Sequence, residues 1–199
     1  FFISNKGQWS PEVKYLAQLG GLNVWITKSG VVYDYYQIIH SKDTSSDNSP
    51  LNRMPFSKFD NHINDTIKGQ GIKMEFEGAS GDETVEPSGK QTAYYNYFIG
   101  NDSTKWASFV ALYNEVLIKN VYPGIDCRYY FDNGQLRYDF NVNPGADISQ
   151  IQMKYEGQDG LKINNDCNLC LKTILGEVKQ GSIFAYQEIN SEKKEVKCE

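Results

Sequence analysis

The chain has 199 residues, of which 40% are hydrophobic and 23% charged, and its formal net charge is −5. A chain of this length buries enough apolar surface to fold without a metal or a disulfide. The acidic balance and the lack of a basic stripe give nucleic-acid binding no electrostatic basis, and no apolar run approaches the ~18 residues of a membrane span. Fourteen Tyr and ten Phe favour β-structure, because such side chains fit a pleated, half-buried surface.

The N-terminal third predicts short antiparallel strands. Residues 22–26 alternate between apolar and polar, a turn follows at 28–30, and residues 31–36 return. Residues 41–68 then change in character, because they begin SKDTSSDNSP and carry few side chains that could be buried. We therefore expect a long polar insertion over 41–68, before strand signals resume at residues 71–77.

An aromatic strand at residues 94–99 and the loop after it form the candidate ligand site. Alternation places Tyr95 and Tyr97 on one face of this strand, and both faces carry aromatic side chains. Exposed aromatic rings beside polar groups can stack on a sugar and hydrogen-bond to it. The alternative is that these rings belong to the core. The ligand-binding candidates are Tyr95, Tyr97, Asn101, Asp102 and Trp106.

The clearest local signal is a β-hairpin over residues 125–142 that turns at Asn133-Gly134. Asn-Gly is the preferred two-residue type I′ loop and fixes the register, so Asp132 should lie opposite Gln135. One face of this hairpin is apolar. On the other face lie Arg128, Tyr130, Arg137 and Asp139, which form either a solvated ladder or a docking face for another part of the parent protein.

Several segments of the chain recur in the same order. IKMEFEG at 72–78 resembles IQMKYEG at 151–157, YDY at 33–35 resembles YDF at 138–140, and GLNV at 21–24 resembles GIDC at 124–127. We interpret the chain as two tandem, similar β-sandwich-like lobes of antiparallel hairpins, at 1–112 and 113–199, the first carrying the insertion. A hairpin begins near residue 185, so we expect the natural protein to continue beyond residue 199. The alternative is that short alternating strands resemble one another by chance.

Several blocks of residues, in order, carry a family resemblance across nearly the whole chain. They are NKGQW at 5–9, VKYLA at 13–17, YNYFIGND at 95–102, KW at 105–106, VYPGID at 121–126, LRYDF at 136–140, PGAD at 144–147, YEG at 155–157 and AYQE at 185–188. Together they resemble the N-terminal domain of unknown function of SBBP-repeat (β-propeller) proteins, which are large secreted proteins that often carry a type IX secretion sorting tail. The resemblance implies an exported, multidomain surface or adhesion-type protein with its signal peptide already removed, and it supplies no catalytic residues.

Few residues suggest catalysis or metal binding. The two histidines, His40 and His62, lie at or inside the predicted insertion, where a base is poorly positioned. Asp and Asn residues in turns could bind calcium, but no run has EF-hand spacing and these residues favour turns for conformational reasons. Cys167 and Cys170 lack the second pair of a zinc site. Cys127 is expected in the core, and the sequence leaves open the disulfide state of these three cysteines and of Cys198.

We therefore expect a non-catalytic structural or interaction module of a large bacterial cell-surface protein, without metal or cofactor. Its expected partners are other domains of the same parent protein. A second hypothesis is an adhesin domain that binds a polysaccharide or a surface protein through the aromatic strand and the Trp106 loop. A hydrolase, which would need a cleft with convergent carboxylates, is the third and weakest alternative.

Overall fold

The computed structural model describes residues 1–40, 65–181, 183–189 and 192–196, and over these residues the chain is an all-β protein of antiparallel strands. This confirms the predicted fold class. The described strands are β1 (Phe2–Ser4), β2 (Tyr15–Leu19), β3 (Leu22–Ile26), β4 (Gly30–Ile39), β5 (Thr66–Phe76), β6 (Thr84–Ser88), β7 (Tyr94–Tyr97), β8 (Ala107–Tyr113), β9 (Glu115–Tyr122), β10 (Ile125–Asp132), β11 (Gln135–Val142), β12 (Met153–Glu156), β13 (Gly160–Ile163), β14 (Leu169–Thr173), β15 (Gly176–Gln180), β16 (Ala185–Ile189) and β17 (Glu192–Val196).

The chain divides into two compact units, Phe1–Gly157 and Gln158–Glu199. The first unit contains an eight-stranded sheet, in the order β12-β5-β4-β3-β2-β1-β8-β7, and a four-stranded sheet, in the order β11-β10-β9-β6. The second unit contains the three-stranded sheet β13-β14-β15 and the separate hairpin β16-β17. That hairpin was expected, and its second strand begins at Glu192.

The division between the units differs from the predicted boundary at residues 112 and 113. Strands β9 to β11 form the four-stranded sheet together with β6, which comes from before residue 112, and aromatic side chains pack this sheet against the eight-stranded sheet. Phe131 of β10 lies 5.2 Å from Phe2, and Phe76 of β5 lies 6.0 Å from Phe140 of β11, between ring centroids. Residues 113–157 are therefore part of the first compact unit.

The repeated segments have corresponding places in the first unit. Strands β2 to β5 follow one another as neighbours in one sheet, and β9 to β11 do so in the other. The two most similar segments lie side by side, because β12 pairs with β5 and places Met74 opposite Tyr155 and Met153 opposite Phe76. Met74 aligns with Met153 and Phe76 with Tyr155 in the two segments, so this register relates β5 and β12 by a local two-fold axis.

The predicted β10–β11 hairpin is confirmed with its register. Asp132 lies opposite Gln135, and the pairing continues in step to Ile125 opposite Val142. Asn133 and Gly134 have φ angles of 49° and 77°, as the two central residues of a type I′ turn require. A side chain at Gly134 would be strained at this φ.

The predicted insertion ends earlier than residue 68. Residues 41–64 lie outside the described residues, but Thr66 already begins β5 and pairs with Ile39. Ile38 and Ile67 lie opposite each other in this extension of the β4–β5 hairpin. The residues around Ile67 are mostly polar, so the composition of this segment did not indicate that the strand begins at Thr66.

Two groups of buried side chains lie on opposite faces of the eight-stranded sheet. Phe2 and Ala17 are fully buried on the face toward the four-stranded sheet, together with Val24, Ile72 and Met74. Successive residues of a strand point to opposite faces, so their neighbours form a second core on the other face. It consists of Ile3, Leu16, Ala107, Val110 and Leu112, covered by Trp9, Trp25 and Tyr97. This second core supports the strand of the candidate site.

Candidate functional site

Strand β7 is the outermost strand of the eight-stranded sheet, at the end opposite β12. Within the described residues it pairs with β8 on one side, and its other side has no strand partner. Tyr94 and Tyr95 are 49% and 47% exposed. An aromatic strand therefore forms an open edge of the first unit.

A bulge in β8 shapes this edge. Tyr95 lies opposite Val110 and Tyr97 lies opposite Ala107, so residues 108 and 109 together face Asn96. Phe109 adopts a φ of 55°, a conformation that is rare for a bulky residue. Its backbone N–H donates to Asn96 Oδ1 at 2.9 Å, and its ring, 65% exposed, lies 4.8 Å from that of Tyr94. The bulge thus projects a second aromatic ring beside the edge strand.

The loop between β7 and β8 is held by its own side chains. Asp102 caps the short 3-10 helix Ser103–Lys105, because its carboxylate accepts from the backbone N–H and the hydroxyl of Thr104. These hydrogen bonds lower the pKa of Asp102. The Trp106 indole N–H donates to the Gly100 carbonyl oxygen at 3.2 Å, and the ring meets that of Phe98 edge-on at 5.8 Å.

The five ligand-binding candidates occupy one end of the sheet and differ in their surroundings. Tyr95 and Trp106 are large exposed rings, and Asn101 is exposed. Tyr97 is half-buried, 5.4 Å from Trp9, and burial raises its pKa. Tyr97 is therefore a core side chain at the margin of the site, and Asp102 acts as a helix cap.

The predicted interaction face of the β10–β11 hairpin has the expected register but a different ionic pairing. Arg128 lies opposite Asp139, and Tyr130 lies opposite Arg137. Arg128 forms its ion pair with Glu115 of the neighbouring strand β9, and the guanidinium lies 4.6 Å from the centre of the Tyr130 ring. Arg137 pairs with Asp132 at 2.9 Å. These charges compensate one another within the sheet.

The thiol and imidazole groups do not assemble a site in the part of the chain that is described. Cys127 is in the core, as expected, and burial raises its pKa to about 12. Cys167 is exposed in a turn and Cys170 is buried in β14. His40 Nδ1 lies 2.9 Å from Asp65 Oδ2, whereas His62 and Cys198 lie outside the described residues.

Some of the Asp and Asn residues that were candidates for calcium lie outside the described residues, and others have a structural role. Asp43, Asp47 and Asn48 lie outside the described residues. Asn164 accepts from the backbone N–H groups of Asp166 and Asn168, which is the hydrogen bonding of an Asx turn. No group of three or more His, Cys, Asp or Glu side chains within residues 1–40, 65–181, 183–189 and 192–196 is placed to hold a metal ion.

The family of the chain follows from a comparison with family models. A domain of unknown function, DUF7948, matches residues 2–199. The chain belongs to the DUF7948 family. The searches of curated proteins and of solved structures found no match to this DUF7948 chain. Within its described residues, no helix is long and apolar enough to cross a bilayer.

The structure of this DUF7948 domain adds aromatic residues that sequence reasoning did not place in the site. Phe98 and Phe109 are 59% and 65% exposed and lie beside Trp106 and Tyr94. Phe98 carried a signal, because it lies in the aromatic run at 94–99. Phe109 carried none, since it lies in an apolar strand whose bulge cannot be read from sequence.

Proposed function

We propose that this DUF7948 chain is a non-catalytic structural and interaction module of a large secreted bacterial cell-surface protein, in which it docks against or caps adjacent domains. The observation that carries the proposal is the apolar surface of the second unit. The resemblance to N-terminal domains of SBBP-repeat proteins supports the same setting.

The described part of the second unit buries few apolar side chains. Its fully buried hydrophobic residues are Cys170 and Leu171. Its large exposed hydrophobic residues are Leu161, Ile163, Ile174, Ile183, Phe184, Tyr186, Ile189 and Val196. A unit this short rarely supplies a sufficient core of its own, and large exposed apolar surfaces mark sites of protein interaction. We therefore infer that an adjacent domain covers this surface.

Hydrogen–deuterium exchange on the chain alone, and on the chain joined to the next domain of its parent protein, tests this inference. We expect amides of β13 to β16 to become protected when the neighbour is present. Ile163→Asp should remove that protection, and Ile67→Asp, an equally exposed position in the first unit, should not. Unchanged exchange throughout the second unit would contradict the docking role.

The open aromatic edge favours a second candidate function, an adhesin domain that binds a carbohydrate or a protein. Tyr95, Phe98 and Trp106 are all close to half exposed or more. Rigid aromatic rings with exposed faces supply contact area at little conformational cost. The Trp106 ring is held in place by its hydrogen bond to Gly100.

Trp fluorescence during titration with a panel of polysaccharides tests the carbohydrate form of this candidate. Saturable binding should disappear in Trp106→Ala and persist in a Trp25→Phe control, whose ring lies in the second core. If Trp106→Ala binds as well as the unmodified chain, the aromatic edge is not the carbohydrate site.

A further inference from the structure

The two sheets of the first unit have four edge strands, β6, β7, β11 and β12. Strand β7 differs from the other three because it lacks the residues that discourage pairing with another chain. An exposed edge strand is a template for pairing with another chain, and proteins normally protect it with charges or proline. Strand β6 contains Glu86 and Pro87, β11 contains Arg137 and Asp139, and β12 contains Lys154 and Glu156. Strand β7 reads YYNY and contains neither a charge nor a proline.

Three polar groups at this edge already have partners inside the protein. Asn96 Oδ1 accepts from Phe109, the Asp102 carboxylate accepts from Thr104, and the Trp106 N–H donates to Gly100. A sugar ligand requires directional hydrogen bonds from side chains as well as stacking. An added peptide strand obtains its hydrogen bonds from the main chain instead, and its alternate side chains contact the rings on the two faces.

The charge around the edge defines the partner further. Between residues 90 and 114 the charged side chains are Lys90, Asp102 and Lys105. Lys6 joins them, because its ammonium group donates to the Ser108 carbonyl oxygen at 2.9 Å in the bulge. The segment that contains the edge, together with Lys6 at its bulge, thus has three lysines against one carboxylate, in a chain whose net charge is −5. This local excess of positive charge is complementary to an acidic segment.

We propose that the β7 edge binds an extended peptide segment of a partner protein as an added strand, with apolar or β-branched side chains at its centre and carboxylates at its ends. The proposal rests on the interaction role above and gives it a partner chemistry. Main-chain pairing supplies the affinity. The rings of Tyr94 and Phe109 on one face and of Tyr95 on the other select the side chains, and the lysines select acidic flanks.

Fluorescence anisotropy with a labelled, end-blocked octapeptide of alternating valine and threonine, carrying an aspartate at each end, tests the proposal on the full chain. We expect saturation below ~1 mM peptide, with the β7 amides protected from hydrogen exchange in the complex. Tyr94→Asp should weaken binding by about tenfold or more, because it removes a ring and adds a charge that repels the acidic ends of the peptide. The matched control Ile67→Asp, on the β4–β5 hairpin, should leave it unchanged.

A second peptide of the same sequence, with N-methyl groups on all of its central amides, separates strand addition from general adhesion to aromatic rings. It keeps the side chains and removes the main-chain donors of both edges, so we expect binding to fall by about tenfold or more. Equal binding of the two peptides, or no saturation at ~1 mM, would overturn strand addition. Binding of polysaccharide without peptide would do so too, while leaving the proposed interaction role intact. Failure of the docking role shows separately, in the exchange of the second unit.

Discussion

Two buried tyrosines on the neighbouring strands β9 and β10 differ in what their hydroxyl groups contact. The Tyr122 hydroxyl donates to the Gln152 carbonyl oxygen at 2.8 Å and accepts from the Gln152 N–H at 3.1 Å. It thus ties the end of β9 to the residue before β12. The Tyr129 hydroxyl has no hydrogen-bond partner of good geometry among the described residues. The polar group that interacts with it most strongly is the Cys127 thiol.

Removing these two hydroxyls should therefore have different effects on the free energy of unfolding. Tyr122→Phe should lower it by about 1–2 kcal/mol, because two backbone groups lose their partner. Tyr129→Phe should change it by less than about 0.5 kcal/mol or raise it, because it removes a buried polar group with little compensation. Urea denaturation of both variants and the parent chain measures the difference. Equal losses in both variants would contradict this account.

At the scale of elements, hairpins were predictable and long-range pairings were not. The β10–β11 register followed from Asn133-Gly134, because two residues at positive φ determine both the turn and its alignment. The pairing of β5 with β12 joins residues far apart in sequence, and no turn specifies it. Because of that pairing, β12 belongs to the first compact unit, which ends at Gly157, whereas the sequence had predicted a division after residue 112.

The candidate site was predictable to a similar extent. An aromatic run predicted the strand, and Trp106 proved to be exposed beside it. That β7 lies at an edge, and that a bulge places Phe109 beside Tyr94, depends on sheet order and on a backbone conformation. Neither is encoded in local alternation. The capping role of Asp102 could not be predicted either, because it depends on the 3-10 helix Ser103–Lys105.

Two of the three glycines in the β4–β5 pairing, Gly30 and Gly71, have different steric demands. A Cβ atom at Gly30 would lie 2.0 Å from the Met74 carbonyl oxygen, whereas one at Gly71 would meet no atom within 4 Å. The contact at Gly30 involves the backbone of the neighbouring strand, which cannot move without breaking the ladder. Gly30 therefore permits the close approach of β4 to β5.

Alanine substitutions at these two positions should have different effects on stability, because only the one at Gly30 meets the backbone of the neighbouring strand. Gly30→Ala should lower the free energy of unfolding by about 2–3 kcal/mol or more, as overpacking does. Gly71→Ala should change it by no more than about 1 kcal/mol, since alanine reduces the entropy of the unfolded chain and clashes with nothing. Thermal unfolding of both variants measures this. A stable Gly30→Ala protein would mean that the two strands are not this close.

At the scale of the whole first unit, five tyrosines from two strands of each sheet meet between the sheets. Tyr33 and Tyr35 come from β4, Tyr129 from β10, Tyr138 from β11 and Tyr155 from β12. Burial, and then the neighbouring Tyr155, raise the pKa of Tyr35 to about 12, and burial raises the pKa values of Tyr33, Tyr129 and Tyr138 well above the ordinary value of tyrosine. The interface between the sheets therefore depends on phenols that remain protonated.

This cluster predicts that the first unit unfolds in base. In an unfolded chain tyrosine has a pKa of about 10, so above pH ~10 the unfolded state binds fewer protons than the folded state. The stability contributed by the raised pKa values is complete below pH ~10 and is lost as the pH rises toward about 12, the pKa of Tyr35. We expect loss of near-ultraviolet circular dichroism in this window, together with a cooperative rise in phenolate absorbance.

A Tyr35→Phe/Tyr138→Phe double variant should unfold at a higher pH than the parent chain, and Tyr94→Phe, at the exposed edge, should not. Ionisation of the buried rings with the dichroism unchanged would show that the phenols ionise inside the folded unit, contrary to this prediction.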